Sequence, residues 1–172
     1  MKVNSILFVF TPWLVACNNL LPSNKPTTDN VSFVGTWKLH SRIDIDSNQS
    51  VLNEPTLGSD PISILMYDEF GNMSVQIMKR NRNDSVIQPQ EKISNNSQAF
   101  NGYDAYFGTF EIDSTQQQIT HAIQGSINPE DVGKKLKRNF ILKGDTLRLS
   151  FSTVNSGVPV KRTLTFIRQN SR

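Results

Sequence analysis

Between Tyr103 and Pro129 the chain reads YDAYFGTFEIDSTQQQITHAIQGSINP, with Tyr, Phe, Thr and Ile crowded on both sides of a polar centre at Asp113–Gln118. Such residues suit a pleated, half-buried surface better than a helix, so two strands folded back through a short turn are predicted. Side chains alternate along a strand, which puts Ile119, His121, Ile123, Gly125 and Ile127 on one face and Thr120, Ala122, Gln124 and Ser126 on the other. The next strand, Lys135–Lys143, repeats the arrangement: Leu136, Arg138, Phe140 and Leu142 lie opposite Lys135, Lys137, Asn139, Ile141 and Lys143. An imidazole and a guanidinium are thereby placed on apolar faces, where an unpaired charge is expensive. His121 and Arg138 are the first candidates for a site.

The rest of the chain follows the same pattern. Phe33–Asp44 alternates, with Trp37, Leu39, Ser41 and Ile43 on one face and Lys38, His40 and Arg42 on the other; the two flanking cations make the His40 face the solvated one. A polar stretch to Pro61 reads as a loop or a cover over one end. Strands are expected at Ile62–Phe70 and Asn72–Arg80, joined where Gly71 supplies the positive φ of a tight turn. After a polar excursion, Pro89–Phe100 is the single expected helix, short, with Pro89 in its first turn. Asn128–Gly133 turns the chain, and Gly144-Asp145 turns it again into Thr146–Val154, where Leu147, Leu149 and Phe151 share a face. The last strand, Val160–Arg168, sets Leu164, Phe166 and Arg168 on one face. About eight strands joined by hairpin-length loops predict an all-β fold, an antiparallel up-and-down β-barrel. Closure is favoured because an open sheet of long strands leaves two unpaired edges.

Domain limits come from the N-terminus. Lys2 precedes a short apolar run, Ile6–Ala16, that stops at Cys17, the order of a secretory signal peptide and too short to span a bilayer, which takes roughly 20 residues. Leu14-Val15-Ala16-Cys17 resembles the lipobox of bacterial lipoproteins, in which the chain is cut before the cysteine and its thiol carries a diacylglycerol. Cys17 is the only cysteine, so an exported chain offers it no disulfide partner, and lipidation gives it a role. Residues 1–16 are therefore read as a signal peptide and residues 17–31, polar and holding Pro22 and Pro26, as a lipidated cysteine and flexible tether. Residues 32–172 form the barrel domain. Asn18 rather than Asp follows the cysteine, which by resemblance to Gram-negative lipoproteins points to the cell envelope and its outer membrane.

The segments FVGTWKLHS, LMYDEFGNMSVQIMKRNR, GYDAYFGTFEID, ITHAIQGSINPEDVG, LKRNFIL and TLTFIR together resemble the bacterial lipocalin-like domain family over roughly Ser32–Arg168. Gly35-Thr36-Trp37 is similar to the start of true lipocalins, where it closes the bottom of the barrel. The resemblance implies an antiparallel barrel of about eight strands with an internal cavity, and no particular activity. Members carry a second histidine directly after the position of His121. Here that position is Ala122, which weakens any case for metal or acid–base chemistry built on a His pair.

Each candidate has a bland alternative. His121 lines a cavity or is a core histidine bonded to a carbonyl or tyrosine. Arg138 clamps a ligand carboxylate or forms a structural bridge to Asp68 or Glu111. Tyr67, Gln76, Tyr106 and Asn128 are further polar candidates for the interior. Arg80 and Arg82 lie at a strand end, either guiding an anion to the mouth or simply solvated. With two histidines and the one cysteine assigned to lipid, neither a metal nor a cofactor is expected. No nucleophile elbow, phosphate loop or dinucleotide fingerprint appears. A net charge of +3 and a basic run, 134–138, that alternation splits between faces argue against nucleic acid. The expected partner is a small hydrophobic or amphipathic ligand. The function expected is binding; a cyclase or isomerase in the same cavity, or an envelope scaffold with a filled core, stand as alternatives.

Overall fold

A computed structural model describes residues 33–81 and 102–169. The expected signal peptide, Cys17, the tether, Arg82 and the Pro89–Phe100 helix lie outside the described residues.

Among the described residues nine strands form one sheet: β1 (Gly35–Ile45), β2 (Val51–Leu52), β3 (Ile62–Tyr67), β4 (Asn72–Met78), β5 (Tyr103–Asp113), β6 (Gln118–Ser126), β7 (Lys135–Lys143), β8 (Thr146–Asn155) and β9 (Val158–Arg168). β2 is a two-residue addition beside the end of β1. The other eight run antiparallel in chain order, and β1 pairs with β9 from Trp37↔Arg168 to Ile45↔Lys161, which closes the barrel. The expected up-and-down architecture is present, with every long strand paired on both sides. A 3-10 turn, Pro129–Asp131, joins β6 to β7.

One end of the barrel is packed solid. Trp37, Leu65, Leu147, Leu149 and Phe166 are essentially buried, and Phe33, Tyr67, Met73, Phe110 and Ile119 join them in one cluster. Fully burying side chains of this size contributes about 1.5–3 kcal/mol each. Trp37 Nε1 donates to the Phe33 carbonyl at 2.9 Å, so its polar atom is satisfied. Arg168 lies over the indole at 4.0 Å and donates to the Val34 carbonyl. The GTW segment lies at this end and places Trp37 in its core.

Two irregularities overturn the expected faces. In β1 the pairing with β9 shifts between Leu39 and Ser41, a bulge that inverts the alternation downstream. Arg42 and Asp44 consequently point inward and are buried, whereas Ile43, expected inside, is exposed; His40 is exposed as expected. In the β5–β6 pair the register slips between Phe107 and Gly108, so Ile123 and Gly125 oppose consecutive residues of β5. Gly125 therefore shares the outer face with the exposed Phe107 instead of the inner face with Ile123. A Cβ at Gly125 would fall 2.4 Å from the Phe107 ring, so a larger residue there requires that exposed ring to move.

The opposite end is polar. Asp44, buried, accepts from Arg162 Nε at 2.7 Å and Nη2 at 2.6 Å, from Asn155 Nδ2 at 3.0 Å and from Arg42 Nη2 at 3.4 Å. Arg42 Nη1 also donates to Glu54 at 3.1 Å. Glu54 in turn accepts from the backbone amides of Thr56 and Leu57, and both Glu54 and Leu57 are buried. The polar stretch after β2, expected as a loop or a cover, is thereby tied to this end through Glu54. Removing one partner from a buried ion network strands the others and costs about 3–5 kcal/mol. Asp44→Ala is predicted to lose that much in denaturant-monitored unfolding, while Asp60→Asn, at the exposed Arg80–Asp60 pair, should leave the midpoint unmoved. An Asp44→Ala midpoint equal to that of the parent would show the network to be energetically idle.

Candidate functional site

Strand register explains how the central polar residues meet. His121 lies between Phe110 of β5 and Leu136 of β7, and Arg138, two residues further along β7, faces the same interior beside Ile119. Tyr106 is four residues before Phe110 on β5, and Tyr67 ends β3. The four side chains form one chain of hydrogen bonds across the barrel. Tyr67 Oη is 2.8 Å from His121 Nε2, Tyr106 Oη is 3.3 Å from Nδ1, and Arg138 Nη2 donates to Tyr106 Oη at 3.1 Å. The Arg138 guanidinium also lies over the Phe151 ring at 4.5 Å.

Electrostatics follow from this enclosure. Burial first, and the Arg138 charge second, hold the His121 pKa well below its usual value, so the ring is neutral at pH 7. A neutral ring has one N–H. If it is on Nε2, Tyr67 accepts and Tyr106 donates to Nδ1; if on Nδ1, Tyr106 accepts from both His121 and Arg138 and its hydroxyl hydrogen turns away from the ring. Burial raises the pKa of both tyrosines. None of the three is poised to exchange protons near neutrality, which a general acid or base needs.

Beside this chain, towards the polar end, lies a cavity of about 110 Å³. Val75, Ile123, Leu136, Leu164 and Phe166 supply apolar wall; Tyr106, Arg138 and Phe151 form one side. Arg42, Arg162, Asp104 and Asp131 complete it at the polar end. Arg138 is 8% exposed. Among the described residues no carboxylate lies within ion-pair distance of it, whereas Arg42 and Arg162 are both paired. No buried side-chain nitrogen or oxygen lacks a partner among the described residues, so the Arg138 N–H groups that bond no protein atom are those reached by solvent-sized space. Asp104 is partly buried, and burial, then the charge of Asp131, push its carboxyl up to about 6.

Of the six interior candidates, His121, Arg138, Tyr67 and Tyr106 come together. Gln76 does not: it is exposed on the outer face of β4, because Met73, Val75 and Ile77 take the inner one. Asn128 caps the 3-10 turn instead, accepting from the Glu130 amide and donating to Asp131. The bridges from Arg138 to Asp68 or Glu111 are absent; Asp68 accepts from the amides of Phe70 and Asn72 in its turn, and Glu111 is exposed. Arg80 pairs with Asp60 on the surface.

Arg42, Asp104, Asp131, Phe151 and Arg162 were not singled out as site residues. Alternation back from Leu164 points to Arg162, and back from Phe110 to Asp104, so those two were within reach; the bulge hid Arg42. Among the described residues no group of three or more His, Cys, Asp or Glu side chains is arranged to hold a metal ion. Residues 34–168 match a family described as a lipocalin-like domain. No curated protein matches the chain.

Asp104 and His121 act on stability in opposite directions. Asp104 titrates near 6 in the folded protein and near 3.8 unfolded; the stability its proton brings is complete below the lower value and lost as pH rises through 6. His121 is the reverse, since the unfolded chain takes a proton near 6.5 that the folded one refuses, and its contribution is lost as pH falls below that value. Asp104→Asn is predicted to gain about 1–3 kcal/mol over the parent at pH 8 and nothing at pH 4. Equal gains at both pH values in parallel urea titrations would contradict the shift.

Proposed function

We propose, from the premise that this chain belongs to the lipocalin-like domain family, that it is a binding protein whose barrel holds a small, mostly apolar molecule with a polar head. The barrel itself fits a ligand-binding protein. The observation that carries the reading is Arg138, a buried cation facing a cavity with apolar walls and lacking a carboxylate partner among the described residues. Leaving a guanidinium in such a place costs folding free energy, and a ligand head group offsets that cost only when bound. Tyr106 and His121 fix the orientation of the guanidinium from behind. A cavity enclosed by side chains with a few convergent polar groups is the usual form of a small-molecule site.

The reading extends to location. Leu14-Val15-Ala16-Cys17 and the proline-containing stretch after it support a chain cut before Cys17, acylated there and tethered to the cell envelope, with Asn18 favouring the outer membrane of a Gram-negative bacterium. Binding is preferred to a cyclase or isomerase because the central histidine and both tyrosines are held away from neutral titration. It is preferred to a filled scaffold because the interior keeps open volume beside Arg138.

Screening small fragments against the protein by methyl NMR is predicted to return binders that shift Ile123, Leu136 and Leu164 and lose affinity in Arg138→Gln. A library that moves none of these resonances would overturn the binding reading. In fractionated cells, Cys17→Ser should move the protein out of the membrane fraction; unchanged membrane retention would remove the lipid anchor from the account.

A further inference from the structure

Arg138 and the walls around it restrict what the cavity can take. Its guanidinium is planar and always charged, with donors set in a fork that matches two oxygens of one carboxylate. One face is covered by Phe151 and Nη2 is engaged by Tyr106. What remains is an edge whose N–H groups meet solvent-sized space. A ligand anion therefore approaches in the plane of the fork.

Volume sets the second limit. About 110 Å³ is well below the ~300 Å³ at which drug-sized sites begin. Long acyl chains and ring systems exceed this volume and would have to extend out of the cavity. The third limit is charge. Asp104 and Asp131 line the same cavity as Arg42 and Arg162, whose charges are already met by Asp44 and Glu54, so a second negative charge on the ligand would face carboxylates beside cations that are already paired. Ile123, Leu136 and Leu164 offer a hydrocarbon surface to the remainder of the molecule.

We infer that the cavity is a site for a short-chain aliphatic monocarboxylate, its two oxygens on the free edge of Arg138 and its hydrocarbon against Ile123, Leu136 and Leu164. This rests on the reading of the barrel as a binding protein and narrows it to one ligand class. A second carboxylate would face Asp104 and Asp131 while Arg42 and Arg162 are already paired, and neutral isosteres forfeit the charge-assisted pair. Arg138 is the specificity determinant.

The test compares isobutyrate with isobutyramide, which has the same shape without the charge, and with octanoate and succinate, by calorimetry and methyl NMR on the full chain. Isobutyrate is expected to bind roughly tenfold more tightly than isobutyramide, to exceed octanoate and succinate, and to lose its advantage over the amide in Arg138→Gln. Should Arg138→Gln fail to fold, Arg138→Lys keeps the charge without the fork and is expected to weaken isobutyrate roughly tenfold while leaving isobutyramide unchanged. Equal binding of acid and amide, or preference for octanoate or succinate, overturns the ligand class while the binding reading stands. If isobutyrate does not bind at all the inference fails, and the fragment screen decides separately whether the cavity binds anything.

Discussion

A guanidinium buried inside a closed barrel must be paired, shared or turned towards water, because an uncompensated buried charge is expensive. The interior of this protein is arranged by how three arginines meet that demand. Arg162 and Arg42 are neutralised by Asp44 and Glu54, at the price of tying the segment after β2 across the polar end. Arg138 has no such carboxylate among the described residues and is shared between a tyrosine hydroxyl and an aromatic face. The polar end is thus locked by charge, the other end is filled by Trp37 and its neighbours, and the hollow between them lies beside Arg138, which has no carboxylate partner among the described residues.

The hydrogen-bond chain from Tyr67 to Arg138 has a corresponding division of labour. Neutral His121 accepts either tautomer, so it can bond both tyrosines without carrying charge into the core. Tyr106 passes that constraint to Arg138 and fixes the direction of its fork. A pre-set fork loses little freedom on meeting a ligand, which favours binding in a site too small for many contacts. The same rigidity and the displaced pKa values leave this trio without a group ready for proton transfer. Asp104 is the titratable exception, and it lies at the charged end of the cavity rather than in the chain.

Much of this was legible in the residues because strand alternation is a two-state code. Ile119, His121 and Ile123 on β6, and Leu136, Arg138 and Phe140 on β7, were placed correctly since those strands are regular through the site. The code fails wherever one extra residue enters a strand. The bulge after Leu39 exchanged the fates of Arg42 and Ile43, and the one at Gln124 moved Gly125 outward; neither leaves a mark in the local composition. Gln76 was within reach of the same code, because Asn72, Ser74 and Gln76 alternate with Met73, Val75 and Ile77 along β4 and share its outer face. Long-range pairing was illegible too: nothing in the spacing brings Asp44 to Arg162, 118 positions away, until β1 and β9 close the barrel.

The central claim is that a small anion enters the hollow beside Arg138 and not one of the grooves on the outside of the sheet, such as that lined by Met66, Phe70 and Phe107. Intermolecular nuclear Overhauser effects from the methyl groups of bound isobutyrate test it most directly. The account predicts cross-peaks to the methyls of Ile123, Leu136 and Leu164 and none to Met66 or Phe107. Cross-peaks confined to Met66 and Phe107 would contradict it.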